Sequence, residues 1–388
     1  MTAWPLVSLG QLADFLSGGT PDTKVPEYYS GTTPWISSAD ISEDGTVYAH
    51  RFITEEAIKS STTRICLPGS LLLVTRVGVG KACIINHPTA FSQDIVWIRS
   101  DNEIVENGYL LHFLRNPGKA RLHQLARGAT IQGVTLRDVK ELRVPLPPLD
   151  EQRRIAGILD SATQLTRSTF NGRKELIDRL ISSRFEHQFL HSGRSWTTIG
   201  EYLESTQYGT SSKAGHSGAT PILRMGNITY EGQIDLSDLK YIDLTPKEEE
   251  KYDLRDGDLL FNRTNSKELV GKTAVYRDNR ETPRTFAGYL IRARTKEGAT
   301  PEYISAYLNS RHGKATLALR AKAIVGMANI NATELKRLPL PAASPDEQKS
   351  FAAFYTAAEK LIVRASESMR LGDELYNSLA TRAFAGEL

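Results

Sequence analysis

Short glycine-containing loops that carry arginine, asparagine, glutamine, threonine and lysine side chains occur along much of the chain. Such side chains hydrogen-bond to phosphates and to base edges, and glycine lets the backbone approach a phosphate closely. The same residue types also build ordinary turns. Their recurrence at matching places favours DNA binding over turn formation alone. The predicted DNA-binding residues are Gly19, Thr20, Lys24, Ser37, Ser38, Arg76, Lys81, Gln93 and Gln132 in the first half of the chain, and Tyr208, Thr210, Lys213, Arg224, Asn227, Asn262, Arg263, Asn265 and Lys272 in the second.

These loops belong to a sequence that repeats itself. Residues 19–20 (Gly-Thr) return at 209–210, and residues 150–152 (Asp-Glu-Gln) return at 346–348. The offset between matching positions stays between 187 and 196, so the segments keep their order with only small insertions. The chain is therefore predicted to hold two similar modules related by an approximate internal two-fold. A molecule with a two-fold suits a duplex target with two half-sites.

The two sets of loops differ in composition although their framework is kept. Arg76 is matched by Arg263, whereas Gln93-Asp94 is matched by Ala287-Gly288. This pattern predicts two readers of unlike half-sites.

The sequence motifs that could indicate catalysis are incomplete. Gly271-Lys272-Thr273 has the tail of a phosphate-binding loop, but the position of the leading glycine holds Ser266. The segment 78–80 lacks the third glycine of a dinucleotide-binding fingerprint. The eight histidines form no HExxH pair and no zinc spacing. We predict that the chain is not an enzyme and that it binds no cofactor and no metal itself.

Composition sets broader limits on the class of protein. With 388 residues, 40% of them hydrophobic, the chain can bury two modest cores. No apolar run approaches the roughly 18–20 residues of a membrane span, and two cysteines are too few for a disulfide framework. We expect a cytoplasmic protein that does not bind a membrane. The net charge is only +3, so a DNA-binding chain must gather its basic groups on one face.

Hydrophobic patterning divides the chain into four parts. Short β-rich runs alternate with helical stretches in residues 1–148 and again in 194–341, which predicts two similar α/β domains. Residues 149–193 and 342–388 lack an interior proline and carry apolar residues at spacings of three and four, which predicts two long helices. The predicted fold class is therefore mixed α+β, with two globular domains joined by the helices.

Each predicted long helix has one apolar stripe that needs a cover. The simplest solution packs the stripes against each other as an antiparallel coiled coil, because each helix follows its own domain and the two are related by a two-fold. The predicted helix–helix interface contains Ile155, Ile158, Ala162, Leu165, Leu176, Leu180, Phe351, Phe354, Ala358, Leu361, Ala365 and Leu375.

Three segments carry a resemblance to a known family. Residues 17–21 (SGGTP), 34–41 (PWISSADI) and above all 144–155 (VPLPPLDEQRRI) resemble segments of the DNA-specificity subunits of type I restriction–modification systems. The resemblance spans the whole chain, both helices included. It implies two target-recognition domains joined by an antiparallel pair of helices, and a bipartite, asymmetric DNA target with a spacer of fixed length.

The same resemblance implies partners for the chain. Members of the family have no catalytic activity of their own. They recruit two methyltransferase subunits, which use S-adenosylmethionine to methylate adenine, and two ATP-dependent restriction subunits. S-Adenosylmethionine, ATP and magnesium are therefore expected only in the partner subunits.

Two other classes of function remain open on the sequence. A self-contained enzyme, such as a fused methyltransferase and nuclease, predicts that the isolated chain binds a cofactor. A coiled-coil adaptor protein with protein partners alone predicts no affinity for DNA at any salt concentration.

Overall fold

The computed structural model describes residues 4–128, 132–190, 193–277, 285–324 and 327–388, and the side chains of 165–169, 171 and 322–324 also lie outside this description. The chain divides into two compact units. The first unit is Met1–Thr169 together with Glu367–Leu388, and the second is Phe170–Ser366. Each unit combines short strands with helices, which agrees with the expected mixed α/β content.

Within the described residues, the first unit holds ten strands, the start of one long helix and the end of the other. Its strands are β1 (Leu6–Ser8), β2 (Ala13–Ser17), β3 (Thr33–Ile36), β4 (Arg51–Ile53), β5 (Arg64–Cys66), β6 (Leu71–Val74), β7 (Ala82–Ile84), β8 (Thr89–Phe91), β9 (Ile95–Ser100) and β10 (Arg143–Pro145). Its helices are α1 (Leu9–Leu12), α2 (Glu55–Lys59), α3 (Asn107–Arg115), α4 (Pro117–Leu125), α5 (Leu136–Lys140) and the first part of α6 (Leu149–Phe185), with 3-10 turns at Pro26–Tyr29 and Ser38–Asp40.

Two sheets of four strands and one strand pair organise the first unit. One sheet has the order β2-β9-β6-β7 and is antiparallel, and the other has the order β4-β3-β8-β5 with β3 and β8 parallel. β1 pairs with β10 and brings the two ends of the globular part together. All four residues of β6 are buried: Leu71 and Leu73 join the core on the helix side, while Leu72 and Val74 join the core between the sheets. This two-sided burial explains why the strand reads as a continuous apolar run.

The second unit repeats the order of the elements. Its strands are β11 (Trp196–Thr198), β12 (Leu203–Tyr208), β13 (Thr220–Leu223), β14 (Lys240–Ile242), β15 (Leu259–Asn262), β16 (Thr264–Asn265), β17 (Thr273–Val275), β18 (Thr285–Phe286), β19 (Leu290–Thr295), β20 (Lys322–Ile324), β21 (Met327–Asn329) and β22 (Pro339–Pro341). Its helices are α7 (Pro246–Tyr252), α8 (Pro301–Asn309), α9 (Arg311–Arg320), α10 (Ala332–Lys336) and α11 (Pro345–Ala385), with 3-10 turns at Ile199–Tyr202 and Met225–Asn227 and a π-helical turn at Glu186–Leu190.

The sheets of the second unit correspond to those of the first. The order β12-β19-β15-β17 matches β2-β9-β6-β7, and the order β14-β13-β18 again contains one parallel pair. β11 pairs with β22 as β1 pairs with β10. A small three-stranded sheet, β16-β21-β20, is formed in the second unit at a place where the described residues of the first show isolated bridges from Gly133 to Arg76 and to Arg127.

One buried glutamine fixes the start of each long helix to its globular part. Gln152 is 1% exposed; its Nε2 donates to the carbonyls of Ile104 (3.1 Å) and Pro147 (2.9 Å), and its Oε1 accepts from the backbone N–H of Glu106 (2.9 Å). Here the Asp-Glu-Gln motif therefore has a structural role. Satisfied polar groups of this kind in a core fix one arrangement, because any other leaves them unpaired.

Gln348 occupies the same place in the second unit. It is also 1% exposed, its Nε2 donates to the Ala343 carbonyl (3.0 Å), and its Oε1 accepts from the N–H of Thr300 (3.2 Å). A buried tyrosine completes each anchor: the hydroxyls of Tyr109 and Tyr303 each donate, at 2.7 Å, to the last carbonyl of β10 and β22. Both copies of the motif thus make the same kind of contact.

The end of α11 contributes to the core of the first unit. Ala380 and Ala383 are fully buried in one cluster with Ile155 and Leu159 of α6. The Arg154 guanidinium donates to the carbonyl of Leu388 at 2.9 Å. In this unit the start of α6 therefore lies beside the end of α11, and the two segments run in opposite directions.

In the second unit the end of α6 packs on the start of α11. The ring of Phe351 lies 5.5 Å from that of Phe185 and 5.6 Å from that of Phe189, measured between centroids. Tyr303 of α8 packs on both phenylalanines from the globular part. This aromatic cluster covers the apolar end of α6 without any contribution from the predicted leucines.

The predicted helix–helix interface is corrected at four positions. Leu176, Leu180, Leu361 and Leu375 are each more than half exposed. On α11 the buried positions advance in steps of four and three from Phe351. A residue one position before a buried residue is rotated by about 100° around the helix axis, which turns its side chain towards solvent. Ile155, Phe351, Ala358 and Ala365 are buried, Ile158, Ala162 and Phe354 are partly buried, and the side chain of Leu165 lies outside the described residues.

Gln152→Leu tests the anchor in the first unit. Leucine has a similar size but leaves one N–H and two carbonyl groups unpaired inside the protein, so we expect a loss of about 2–4 kcal/mol in the free energy of unfolding. Urea unfolding, followed by fluorescence, measures the change. The matched control is Arg153→Ala, an exposed neighbour, which should change stability by less than about 0.5 kcal/mol. Equal stability of the two variants would contradict the anchoring role.

Candidate nucleic-acid interface

The loop after β2 is held against the turn before β9 in the first unit. The N–H of Gly18 donates to the carbonyl of Ile95 (3.3 Å), and the N–H of Gly19 donates to the carbonyl of Phe91 (3.0 Å). A Cβ on either glycine would lie within 2.5 Å of neighbouring atoms, so this close approach requires glycine. The contact brings together two predicted residues whose side chains bond each other: the Thr20 hydroxyl donates to Oε1 of Gln93.

The loop between β6 and β7 joins the same edge of the sheet. The N–H of Thr75 donates to the carbonyl of Asp94 at 2.8 Å, and its carbonyl accepts from the N–H of Val134 at 2.9 Å. The adjoining Arg76 and Gln132 have exposed side chains. The structure therefore gathers Thr20, Gln93, Arg76 and Gln132 at one edge, although up to 112 residues separate them in the sequence.

A strained valine stands at the tip of the β6–β7 loop. Val77 has a φ of +53° and is, among the described residues, the one non-glycine with a positive φ. This conformation costs a β-branched side chain roughly 1–3 kcal/mol. Its N–H donates to the carbonyl of Gln132 at 3.3 Å, and its side chain is 53% exposed. Val77 is not among the predicted site residues; its signal in the sequence is a valine directly before the Gly78–Gly80 pair, where a glycine or an asparagine would be expected.

In the second unit, an arginine and a tyrosine lie at the sheet edge that corresponds to this edge of the first unit. The Arg263 guanidinium lies over the Tyr208 ring, 4.7 Å from its centroid, and also donates to the carbonyl of Gly288 at 3.5 Å. The Tyr208 hydroxyl accepts from the N–H of Ala332 at 2.9 Å. Stacking on the ring holds the planar guanidinium in one orientation, which suits bidentate hydrogen bonding to a base or a phosphate.

The strand end beyond Arg263 is more regular than its counterpart. Thr264 pairs with Asn329 and Asn265 with Ala328 in the β16–β21 ladder, and the Asn329 amide donates to the Thr264 hydroxyl at 2.7 Å. Asn265 is partly exposed beside this ladder. Asn329 was not among the predicted site residues, because only the pairing of two distant segments places it beside Thr264.

Hydrogen bonding shifts two of the predicted matches by one residue. The N–H of Thr210 donates to Phe286 as that of Gly19 does to Phe91, so Thr210 corresponds to Gly19 rather than to Thr20. The N–H of Arg263 donates to Tyr289 as that of Thr75 does to Asp94. Arg263 therefore corresponds to Thr75, and the two arginines occupy different places on the two edges.

Five predicted DNA-binding residues are buried in this conformation, and their contact with DNA stays a prediction. Asn227 illustrates the reason: its Nδ2 donates to the carbonyls of Asp235 (2.9 Å) and Asp238 (3.0 Å), so the amide holds the loop that follows the 3-10 turn. The buried residues are Gly19, Ser38, Thr210, Asn227 and Asn262.

Two predicted lysines serve as internal clasps instead. Nζ of Lys81 donates to the carbonyl of Ile41, and Nζ of Lys272 donates to the carbonyl of Met225, each at 3.0 Å. Burial lowers the pKa of Lys272 from its usual value. Each lysine thereby ties the hairpin of its unit to the 3-10 turn. DNA binding by these ammonium groups stays a prediction.

The remaining predicted residues differ in how far their side chains are bonded to neighbouring residues. The Ser37 hydroxyl donates to Asp40 (2.7 Å); burial opposes the ionisation of Asp40, but the bonds from Ser37 and His50 still hold its pKa below the usual value. Arg224 forms an ion pair with Asp238 at 2.7 Å. Lys24 and Lys213 are exposed, and no contact among the described residues brings their ammonium groups to the loop edges.

The described residues contain neither an activated cysteine nor a metal-binding cluster. Burial raises the pKa of Cys66 to about 11 and that of Cys83 to about 12, so both thiols are uncharged at neutral pH and are poor nucleophiles. No set of three or more His, Cys, Asp or Glu side chains within the described ranges could hold a metal ion. None of the described helices is long and apolar enough to span a bilayer.

Comparison with known proteins finds similarity to DNA-specificity proteins. Residues 1–179 match the family model described as "Type I restriction modification DNA specificity domain". The chain is 26% identical over 311 residues to the type I restriction enzyme EcoKI specificity subunit of Escherichia coli (strain K12), a match that covers 74% of this chain and 66% of that protein. It is also 26% identical over 191 residues to the MjaIX specificity subunit of Methanocaldococcus jannaschii, covering 48% of this chain and 44% of the relative.

The likeness extends to the fold. A chain from a solved structure of a type I restriction–modification system aligns over 100% of this chain and 99% of its own length, with a TM-score of 0.52 and 17% sequence identity. At this identity the likeness concerns the fold alone. The sequence matches span at most about two thirds of the two curated relatives above.

Lys81→Met tests whether this lysine is a clasp. Loss of a charge-assisted hydrogen bond to a buried carbonyl should cost about 1–3 kcal/mol of unfolding free energy. Arg76→Met is the matched control on the same hairpin, and as an exposed substitution it should cost less than about 0.5 kcal/mol. Thermal unfolding of both variants measures the difference. If Arg76→Met lowered the midpoint more than Lys81→Met, the assignment of roles would be reversed.

Proposed function

We propose that the chain is a DNA-specificity subunit of a type I restriction–modification complex, and that it reads a bipartite, asymmetric DNA sequence for that complex. The observation that carries the proposal is a pair of polar loop edges, one on each unit, at corresponding ends of corresponding sheets. The framework of the two edges is the same, while the side chains that they expose differ. Each unit would therefore read a different half-site.

The proposed chemistry of reading is direct hydrogen bonding to base edges in the major groove. Arginine distinguishes guanine by a bidentate bond, and glutamine distinguishes adenine. The first edge presents Arg76, Gln93 and Gln132, whereas the second presents Arg263 and Asn265. Phosphate contacts would fix the position of the duplex, and a chain with a net charge of only +3 leaves some of these contacts to partner subunits.

The proposed partners supply the catalysis. Two methyltransferase subunits would bind S-adenosylmethionine and methylate adenine in each half-site, and two restriction subunits would use ATP and magnesium to cleave unmodified DNA. This chain would contribute recognition and no bond-making step. We place its activity in the cytoplasm, together with the DNA that it reads.

The two long helices are proposed to set the distance between the half-sites. In the first unit the start of α6 lies beside the end of α11, and in the second the end of α6 lies beside the start of α11. We propose that the two helices pair as an antiparallel coiled coil. The helix length would then fix the unread spacer.

A coiled-coil adaptor without DNA affinity is the alternative from another class. It would leave the exposed arginines and amides of the two loop edges without a role. The alternative predicts that the complex binds random and target DNA equally weakly at every salt concentration.

Methylation mapping tests the proposed function. We expect co-expression of the chain with its methyltransferase subunit to produce methylated adenines within one bipartite sequence. Arg76→Ala should relax the bases of one half-site and Arg263→Ala those of the other, each with a loss of about 1–3 kcal/mol of discrimination. Sequencing that detects modified bases gives both half-sites at once. Methylation without a common sequence, or a change in both half-sites for each variant, would contradict the proposal.

Lengthening both helices tests the spacer rule. Four residues inserted after Phe170 in α6 and four after Ser366 in α11 add about 6 Å of helix, or roughly two base pairs at about 3.4 Å each. The mapped half-sites should stay the same while the gap between them grows. Gly172→Ala is the control, since its added Cβ meets nothing within 4 Å and the length is unchanged. New half-sites at constant spacing would refute the rule.

A further inference from the structure

The β6–β7 loop of the first unit holds an apolar side chain in solvent at the centre of a polar edge. Val77 is 53% exposed, and it lies between Arg76 and the Gln132 backbone that accepts its N–H. Gln93 is exposed on the turn to which the same loop is bonded through Asp94. An exposed valine is unremarkable by itself, but this one also occupies a backbone conformation that valine avoids.

The surrounding bonds hold this conformation in place. The two ends of the loop are tied by the bonds from Gly80 N–H to the Val74 carbonyl (3.0 Å) and from Val74 N–H to the Lys81 carbonyl (2.8 Å). A glycine or an asparagine would adopt the same φ without strain. A valine at this position therefore lowers the stability of the protein. This cost implies that its branched apolar side chain has a function.

The partner chemistry follows from the neighbours of the valine. Arginine and glutamine side chains beside it suit the hydrogen-bonding groups of the major groove, where the one apolar group that a base offers is the C5-methyl group of thymine. An apolar side chain held rigidly among such readers matches that methyl group in chemistry and in size. A contact of this kind distinguishes thymine from cytosine and from uracil.

Within its described residues, the second unit shows no equivalent of this valine. There the strand end continues through Arg263 into the regular β16 ladder of Thr264 and Asn265. A dependence on a thymine methyl through this loop should therefore be confined to one half-site.

We propose that Val77 is a specificity-determining residue that packs against the C5-methyl group of a thymine in the half-site read by the first unit. The proposal rests on the proposed function and deepens it, because it names the base and the atom that are read. The methyl group is buried between the two valine methyl groups and the loop backbone when DNA binds.

The test uses the chain assembled with its methyltransferase subunits and its mapped target. Each thymine of the half-site that responds to Arg76→Ala, on both strands, is replaced in turn by uracil, which lacks only the methyl group. Affinity for each duplex is measured by fluorescence anisotropy at one fixed salt concentration. We expect one uracil to weaken binding about threefold to tenfold, as for burial of one methyl group.

Variants at position 77 complete a double-mutant cycle. Val77→Asn suits a positive φ and removes the apolar contact, so the sensitivity to uracil should fall below twofold, with an unfolding midpoint equal to or above that of the wild type showing that the variant is folded. Val77→Ile keeps the contact and should keep the sensitivity. A uracil effect that is absent in the wild-type complex, or equal in wild type and Val77→Asn, would overturn the inference. Absence of sequence-specific binding in the wild-type complex would instead overturn the proposed function itself.

Discussion

A single buried glutamine at the start of each long helix is the contact on which the arrangement of this chain depends. Gln152 and Gln348 each bridge the extended Pro-containing segment, the helix that follows it and a loop of the globular part. If the helix left its unit in another direction, the glutamine amide would lose these hydrogen bonds, and an unpaired amide inside the protein costs stability. The direction in which each helix leaves its unit is therefore fixed by hydrogen bonds, while the apolar packing around it supplies most of the stabilisation.

The two units show how one framework can present different chemistry. In both units, matching backbone hydrogen bonds link three segments. They are the loop after β2 or β12, the turn before β9 or β19, and the end of β6 or β15. At these points the exposed groups differ: a strained valine beside Arg76 in one unit, and a stacked Arg263–Tyr208 pair in the other. Loops that are bonded at both ends can change their outward side chains at little cost to the core.

The lysines Lys81 and Lys272 show the limit of reading a site from residue type. Both follow a glycine in a loop rich in polar residues, which is the pattern of a phosphate contact. In the folded chain their ammonium groups turn inward and bond the carbonyls of Ile41 and Met225. Nothing in the local sequence distinguishes a lysine that faces solvent from one that ties two segments together, because the carbonyl that it bonds belongs to a turn about 40 residues away in the sequence.

The sequence by itself determined the duplication, the mixed α/β content, the starts of the two long helices and the polar character of the loops. These features follow from local patterns: strand-like runs, a proline-containing segment followed by helix-forming residues, and apolar spacing of three and four. Only the tertiary structure decided which residues of those patterns face inward. The helix interface moved by one position from Leu361 to Ile362, the loop matches moved by one from Thr20 to Gly19, and Val77 was found exposed with a positive φ. Periodicity gives the spacing of a buried face but not its phase, since the phase is chosen by what packs against it.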